Sequence, residues 1–494
     1  MFITYLAAVV MGLAGCATPS PQKPPPACGV PEALREGWSA SFRAGCTDRN
    51  GRLAGGSQVM HLVSHRGSLY AANGFWQDRR NVWYGGIDQY SGWGQVLRLS
   101  GPDEAWVVDL ELGPRHLRTE LLKSVTFTVD ADGRPLPQPR TLLVAAAYDG
   151  GGSAVHMFVR NDDDGTWTRS GVIAGNTGVK GEDNSVRSAV VYQDRVTGEQ
   201  RLHLSVGVLG VFTAGYDPLS PGQLRWSTQP EAGTQTETRI LSMVEANGSL
   251  YLSGGTRVLR RVDGPSPHYV LVADMAGERD PSTGRTTFQA IGGIRGLSAI
   301  EGPVAGRQSL IFLWHPGRQS PGCVMRLDPQ PDGSYARYRE ICLADLVSRH
   351  LGGAPIPFVL GAYNTFTPLQ DPDSQGLHHV IGLEAFIASR PSGQSFHRLI
   401  AQGQETPNGG FYGGALYAVR DPTGHWRVGE VNGKYRADER GLVSIYTVAL
   451  APFARDGRSM VYVGGYDPNG KPSSDTAWVY GASLANLLSS AKQD

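Results

Sequence analysis

A unit of four short apolar runs, first complete over Gln58–Gly113, recurs down this chain and constrains its fold more than any other feature. The unit reads VMHLVS (Val59–Ser64), a turn at His65-Arg66-Gly67, LYAANG (Leu69–Gly74), a long aromatic loop and QVLRL (Gln95–Leu99). A Pro-Asp turn follows, and Trp106 opens the last run. Runs this short, bounded by Gly, Asp, Asn and Pro, are strands, because those residues supply the backbone conformations that end them. The inner pair of runs aligns in seven copies, near Val59, Ser124, Val186, Ile240, Ile294, Ala362 and Ile445. The outer pair repeats as an aromatic placed just after a turn, at Trp106, Trp167, Trp226, Tyr269, Tyr335 and Trp426. A ring at that position packs between neighbouring units.

Four strands in series, repeated, resemble the blades of a β-propeller. That resemblance implies an all-β fold: a single β-propeller with seven four-stranded blades. The seventh blade is one strand short, because after AWVYGAS (Ala477–Ser483) the chain reads as a short helix. Near the other end, Gly37–Phe42 alternates and carries Trp38 after a turn. An N-terminal strand is therefore expected to close the ring, removing the open sheet edges.

The first residues are a targeting segment. Phe2–Gly15 is apolar and ends Leu13-Ala14-Gly15-Cys16, which resembles the lipobox of bacterial lipoproteins. The resemblance implies a signal peptide over 1–15, lipidation of Cys16, a Pro-rich tether over 16–35 and a propeller over 36–494. No Lys or Arg precedes the apolar run, as a signal peptide normally requires, so an ordinary cleaved signal or a different start is the alternative. Ala17 after the cysteine favours the outer membrane by analogy with enteric bacteria. The partners expected are thus a membrane reached through the lipid, and a glycan or protein ligand, for a monomer in the cell envelope. The other four cysteines allow three pairings. Position favours Cys28–Cys46 and Cys323–Cys342, with free thiols as the alternative. Lys plus Arg equals Asp plus Glu at 45 each, so no global field draws the chain to nucleic acid.

By analogy with other propellers, ligands bind at the face where the inner strands begin. Residues near those starts are Lys123, Arg187, Leu241, Arg295, Tyr363 and Tyr446, with Met60 and His61 in the first unit. Three cations and two phenols at one channel mouth suit an anion such as a uronate, sulfate or carboxylate. Otherwise they pair with neighbouring acids and plug the channel. The loop Asn73–Gly94 carries Trp76, Arg79, Trp83, Tyr90 and Trp93. It stacks on sugar rings, grips a protein partner, or folds on itself as a lid. A second excursion spans Ala388–Gly414.

Catalytic and metal motifs are lacking. Asp130–Gly133 and Asn161–Gly165 resemble calcium loops but miss the later glutamate, so no cofactor is expected beyond a structural Ca2+. The histidines show no metal-ligand spacing. The reading is a membrane-anchored propeller binding a ligand over its channel mouth. The alternative is a lyase or hydrolase acting on acidic polysaccharides, with Glu384, Tyr363, Arg187 and Arg295 as its first candidates. A quinone-dependent sugar dehydrogenase comes third, because no cofactor-stacking pattern repeats.

Overall fold

The computed structural model describes residues 24–491 apart from 34–36, 76–91, 150–153, 175–184, 232–238, 279–292, 317–320, 362, 388–396, 399, 402–403, 406–410, 413, 432–441 and 467–474. The described residues form seven antiparallel blades of four strands each, with two short helices. In blades 1 to 5 the strands lie in simple chain order, from Gln58–His65 in blade 1 to Tyr335–Cys342 in blade 5. Blade 6 is built on the long strand Leu377–Ile387 and blade 7 on Ser444–Arg455, Arg458–Tyr466 and Ala477–Ser483.

The fourth strand of blade 7 comes from the N-terminus, as the alternation at Gly37–Phe42 predicts. Trp38–Arg43 pairs with the last strand, Trp38 opposite Ala482 and Arg43 opposite Trp478. Glu32–Ala33 adds a fifth strand outside it. The Cys28–Cys46 disulfide ties down the approach to this strand, and Cys323–Cys342 joins directly opposed residues of blade 5. Both favoured pairings are present.

Burial follows the ring. Among the described residues, seven apolar clusters each fill the seam between two successive blades. The one between blades 7 and 1 contains Phe42, Val59, Trp106 and Val479, so the closing strand is part of the core. Helix α1 (Leu343–His350), which the strand pattern does not foresee, drops Leu343, Leu346 and Val347 into the seam between blades 5 and 6. Helix α2 (Leu484–Ser490) is the short helix expected after the last strand, with Ser483 accepting the Asn486 N–H at its start.

The outer aromatics reach back across each seam to the preceding blade. In blades 2, 4 and 6 the link is charged. Asp109 accepts from Trp167 and Arg160, both at 2.8 Å. Glu231 accepts from Tyr269 at 2.7 Å and Arg261 at 3.0 Å. Glu340 accepts from Trp426 at 3.1 Å and Arg420 at 2.8 Å. In each case the arginine and the ring sit opposite one another on the third and fourth strands. In blades 1, 3 and 5 the link is neutral: Trp106 to Ser41, Trp226 to Ser170, and Tyr335 with Tyr251.

Candidate functional site

The inner strands carry a recurrent irregularity at the end where they begin. In blade 1 the pairing skips between Val59 and His61, and Met60 is the extra residue. Blade 4 does the same at Leu241 and blade 7 at Tyr446. Blades 3 and 5 gain one residue just after Val186 and Arg295. In blade 6 the strand divides: Phe358–Gly361 pairs with one half of Leu377–Ile387 and Thr367–Gln370 with the other, leaving Tyr363 in the break. Only blade 2 pairs without a shift at this end. A bulge turns side chains away from their regular alternation. That is how residues at the blade seams come to face a common channel.

Five of the expected residues are joined there. Arg187 Nη1 donates to the Tyr363 hydroxyl at 2.9 Å, and its guanidinium lies 5.4 Å from the centre of the Tyr363 ring. Arg295 lies 5.5 Å from the same ring. Tyr446 stacks on Tyr363 with centroids 4.4 Å apart and planes 23° from parallel. Glu384, on the neighbouring strand, accepts from Tyr446 Oη at 3.3 Å and from Ser444 Oγ at 3.2 Å. The break in blade 6 is fixed by Asn364, which donates to the Met60 carbonyl at 2.6 Å across the channel mouth.

Lys123 is the third cation, and it has no hydrogen-bond or ion-pair partner among the described residues. Its side chain meets the open lumen yet is ringed by protein, and that partial desolvation lowers its pKa. His61 is buried nearby and donates its Nε2 proton to the Glu120 carbonyl at 2.8 Å. Burial, with Lys123, Arg187 and Arg118 adding repulsion, lowers its pKa to about 4, so the ring is neutral at pH 7. Leu241 and Met60 are buried as core residues. Of the aromatic loop, Trp76, Arg79, Trp83 and Tyr90 lie outside the described residues, whereas Trp93 is partly buried at the loop's return.

A cleft of about 750 Å³ opens at the outer edge between blades 3 and 4, lined by Arg201, His203, Arg225, Trp226 and Glu231. It is far from the channel, and its charges are already matched. Arg225 holds Asp132 at 2.6 Å, and Arg261 is bound to Asp194, Glu231 and Asp263. Although burial pushes Glu231 up, the neighbouring His203 and hydrogen bonds from Arg261 and Tyr269 hold its pKa to about 2. These groups lock the seam, and little charge is left over to attract a ligand.

Two further clusters escape a reading of the sequence. His65 bridges Ser124 (2.9 Å) and Asp162 (2.9 Å), a Ser–His–Asp chain across the seam between blades 1 and 2. Asp162 is also held by Arg160 and Arg66, so its charge is not free to support an imidazolium. The chain is a seam lock. The turns that resemble calcium loops likewise use their carboxylates locally: Asp130 caps the N–H groups of Asp132 and Arg134, and Asp164 that of Thr166. The second cluster is a set of metal-ligating residue types that the sequence did not single out. His116, Asp149 and His156 place one ligand atom each within 4.8 Å of one another. They come from a connector between blades and from two strand ends, so no spacing in the sequence announces them.

No family model matches the chain, and no curated protein is similar enough to match it. Among solved structures it is similar to an α-L-arabinofuranosidase from Fusarium graminearum, 11% identical, over 87% of this chain and 94% of that one, with a TM-score of 0.36. It is also similar to a protein from Lactobacillus plantarum, 12% identical, over 75% and 89% of the two chains, at 0.35. A quinohemoprotein alcohol dehydrogenase from Pseudomonas putida HK5 aligns at 10% identity over 88% and 74%, at 0.38. Likenesses this distant say nothing of activity, and the fold stands on the pairing of the strands.

Proposed function

We propose that this chain is an extracytoplasmic, lipid-anchored β-propeller that binds an acidic glycan over its channel mouth. One observation carries the reading: Arg187 and Arg295 lie over the Tyr363–Tyr446 stack, with Lys123 nearby. Charged hydrogen bonds from cations hold carboxylate or sulfate groups, and flat phenol faces suit sugar rings. The two disulfides fit an oxidising compartment.

The test is calorimetric titration of the chain with an oligouronate and a neutral oligosaccharide of equal length. The acidic ligand should bind more tightly, and added salt should weaken it. Arg187→Ala and Arg295→Ala should each cost about tenfold, roughly 1.4 kcal/mol, for the acidic ligand and little for the neutral one. Binding by both variants at the parental affinity would sink the proposal. A protein partner on another face would then be the better reading.

An eliminating lyase is the second reading, favoured by the Arg187–Tyr363 bond. A guanidinium donating to a phenol stabilises its anion, the form a general base needs. Ultraviolet absorbance of an unsaturated uronate product separates binder from enzyme, and Tyr363→Phe should abolish it. The anchor has its own test. Cys16→Ser should release the protein into the soluble fraction and end labelling by a fatty-acid probe, whereas unchanged membrane partition refutes lipidation.

A further inference from the structure

We propose that His116, His156 and Asp149 form a binding site for a divalent transition-metal ion of the zinc class, at the rim of blade 2. Two imidazoles and a carboxylate are the donor set such ions take. Here three separate segments deliver them to one point. Asp149 ends the second strand of the blade, His156 lies just inside the third strand opposite Ala147, and His116 comes from the connector leading out of blade 1. The ligand atoms lie within 4.8 Å of one another. His116 Nε2 and His156 Nδ1 are 2.8 Å apart. Two ring nitrogens approach that closely only with something shared between them, a proton or an ion. An ion would need the rings to part by about half an ångström, given nitrogen–metal distances near 2.0–2.1 Å.

The surroundings prepare His116 for that role. Its other nitrogen, Nδ1, is buried and lacks a well-formed hydrogen bond, although it faces the Gly113 and Pro114 carbonyls. An ion on Nε2 fixes the proton on Nδ1, which those carbonyls then accept. This is the outer-shell arrangement that orients metal-bound imidazoles. The connector is held in place: Gly94 donates to the His116 carbonyl at 2.7 Å, and Phe158 packs edge-on against the ring. Arg115, at a left-handed φ of 75°, reaches over to Asp149 Oδ2 at 2.9 Å. His156 is partly exposed, which leaves a coordination position for water or a ligand donor. Because Arg115 shares the carboxylate, affinity should be moderate rather than that of a closed structural zinc site.

The experiment titrates Zn2+ alone into metal-free protein by calorimetry and repeats it with Co2+ while recording visible absorption. One saturable site per chain is expected, and Co2+ should show the bands of a low-symmetry nitrogen and oxygen site. His116→Gln and His156→Gln should each weaken Zn2+ at least tenfold and erase the Co2+ bands, and Asp149→Asn should weaken it less. Circular dichroism of each variant confirms the fold, and a His378→Gln/His379→Gln chain with unchanged affinity shows that other histidines are not responsible. No saturable Zn2+ binding by the parent at about 0.1 mM overturns the site. So does equal affinity in both folded single-histidine variants.

Discussion

His61, His315 and His379 each carry a neutral ring that burial keeps from charging. Burial lowers their pKa values to about 4, 3 and 4, helped by cations close by: Lys123 and Arg187 for His61, Arg295 for His315, Arg420 for His379. An unfolded chain protonates such rings near 6.5, so below that pH it binds protons the native state refuses. Their stabilising effect is complete above pH 6.5 and is lost as pH falls toward 4. Glu231 adds a second loss below about pH 4.5, because its native pKa is about 2. Melting temperature should therefore decline steadily from pH 6.5 downward. His61→Gln, which keeps a donor for the Glu120 carbonyl, should flatten part of that slope, whereas His425→Gln on the exposed surface should not. An unchanged slope in the His61 variant rules out its part. At this scale the sequence was legible where strand starts were marked by apolar runs, so Arg187, Arg295, Tyr363 and Tyr446 stood out. The bulges that aim them were not legible, because an extra residue in a strand leaves no trace in an alternating pattern. The metal ligands were hidden for another reason: 116, 149 and 156 meet only through the fold.

The blade seams show what repeats at the level of elements. The turn-plus-aromatic pattern predicted a ring between blades, and Trp167, Tyr269 and Trp426 take that place. The arginine opposite each ring was missed, because Arg160, Arg261 and Arg420 look like ordinary charged residues of outer strands. Their acids come from the preceding blade, a distance that pattern reading does not span. Helix α1 was missed because LADLVSRH is shorter than the window over which helical periodicity declares itself. The clasps also carry a prediction. Glu340 accepts from Arg326, Arg420 and Trp426 and is buried. Breaking such a pair leaves buried cations uncompensated, so Glu340→Gln should destabilise by about 3–5 kcal/mol. Denaturant unfolding and a double-mutant cycle with Arg420→Met would show strong coupling. Removing the exposed Arg49–Glu104 pair should change nothing measurable. If the two substitutions behave alike, the clasps are decoration and the apolar seams alone hold neighbouring blades together.

The ring closes only if its last sheet is completed, and the completing strand lies more than four hundred residues from its partner in the chain. Trp38–Arg43 does this, and its anchoring is redundant. Trp38 and Phe42 are buried in the seams on either side of blade 7. Trp106 of blade 1 donates to Ser41 at 2.9 Å, and Cys28–Cys46 prevents the approach to the strand from fraying away. Burying each large side chain contributes roughly 2–3 kcal/mol, before the opened edges of blade 7 and the exposed flank of blade 1 are considered. Removing residues through 43 should therefore lower the melting temperature by many degrees more than removing residues through 26. Cys28→Ser with Cys46→Ser should fall between the two, since the strand keeps its pairing but loses its tie. Completion in trans sharpens the test: a peptide of residues 37–47 added to the shortened chain should bind at the open edge and raise its melting temperature with concentration. If both truncations melt together and the peptide has no effect, closure depends on the seam between blades 7 and 1 rather than on the borrowed strand.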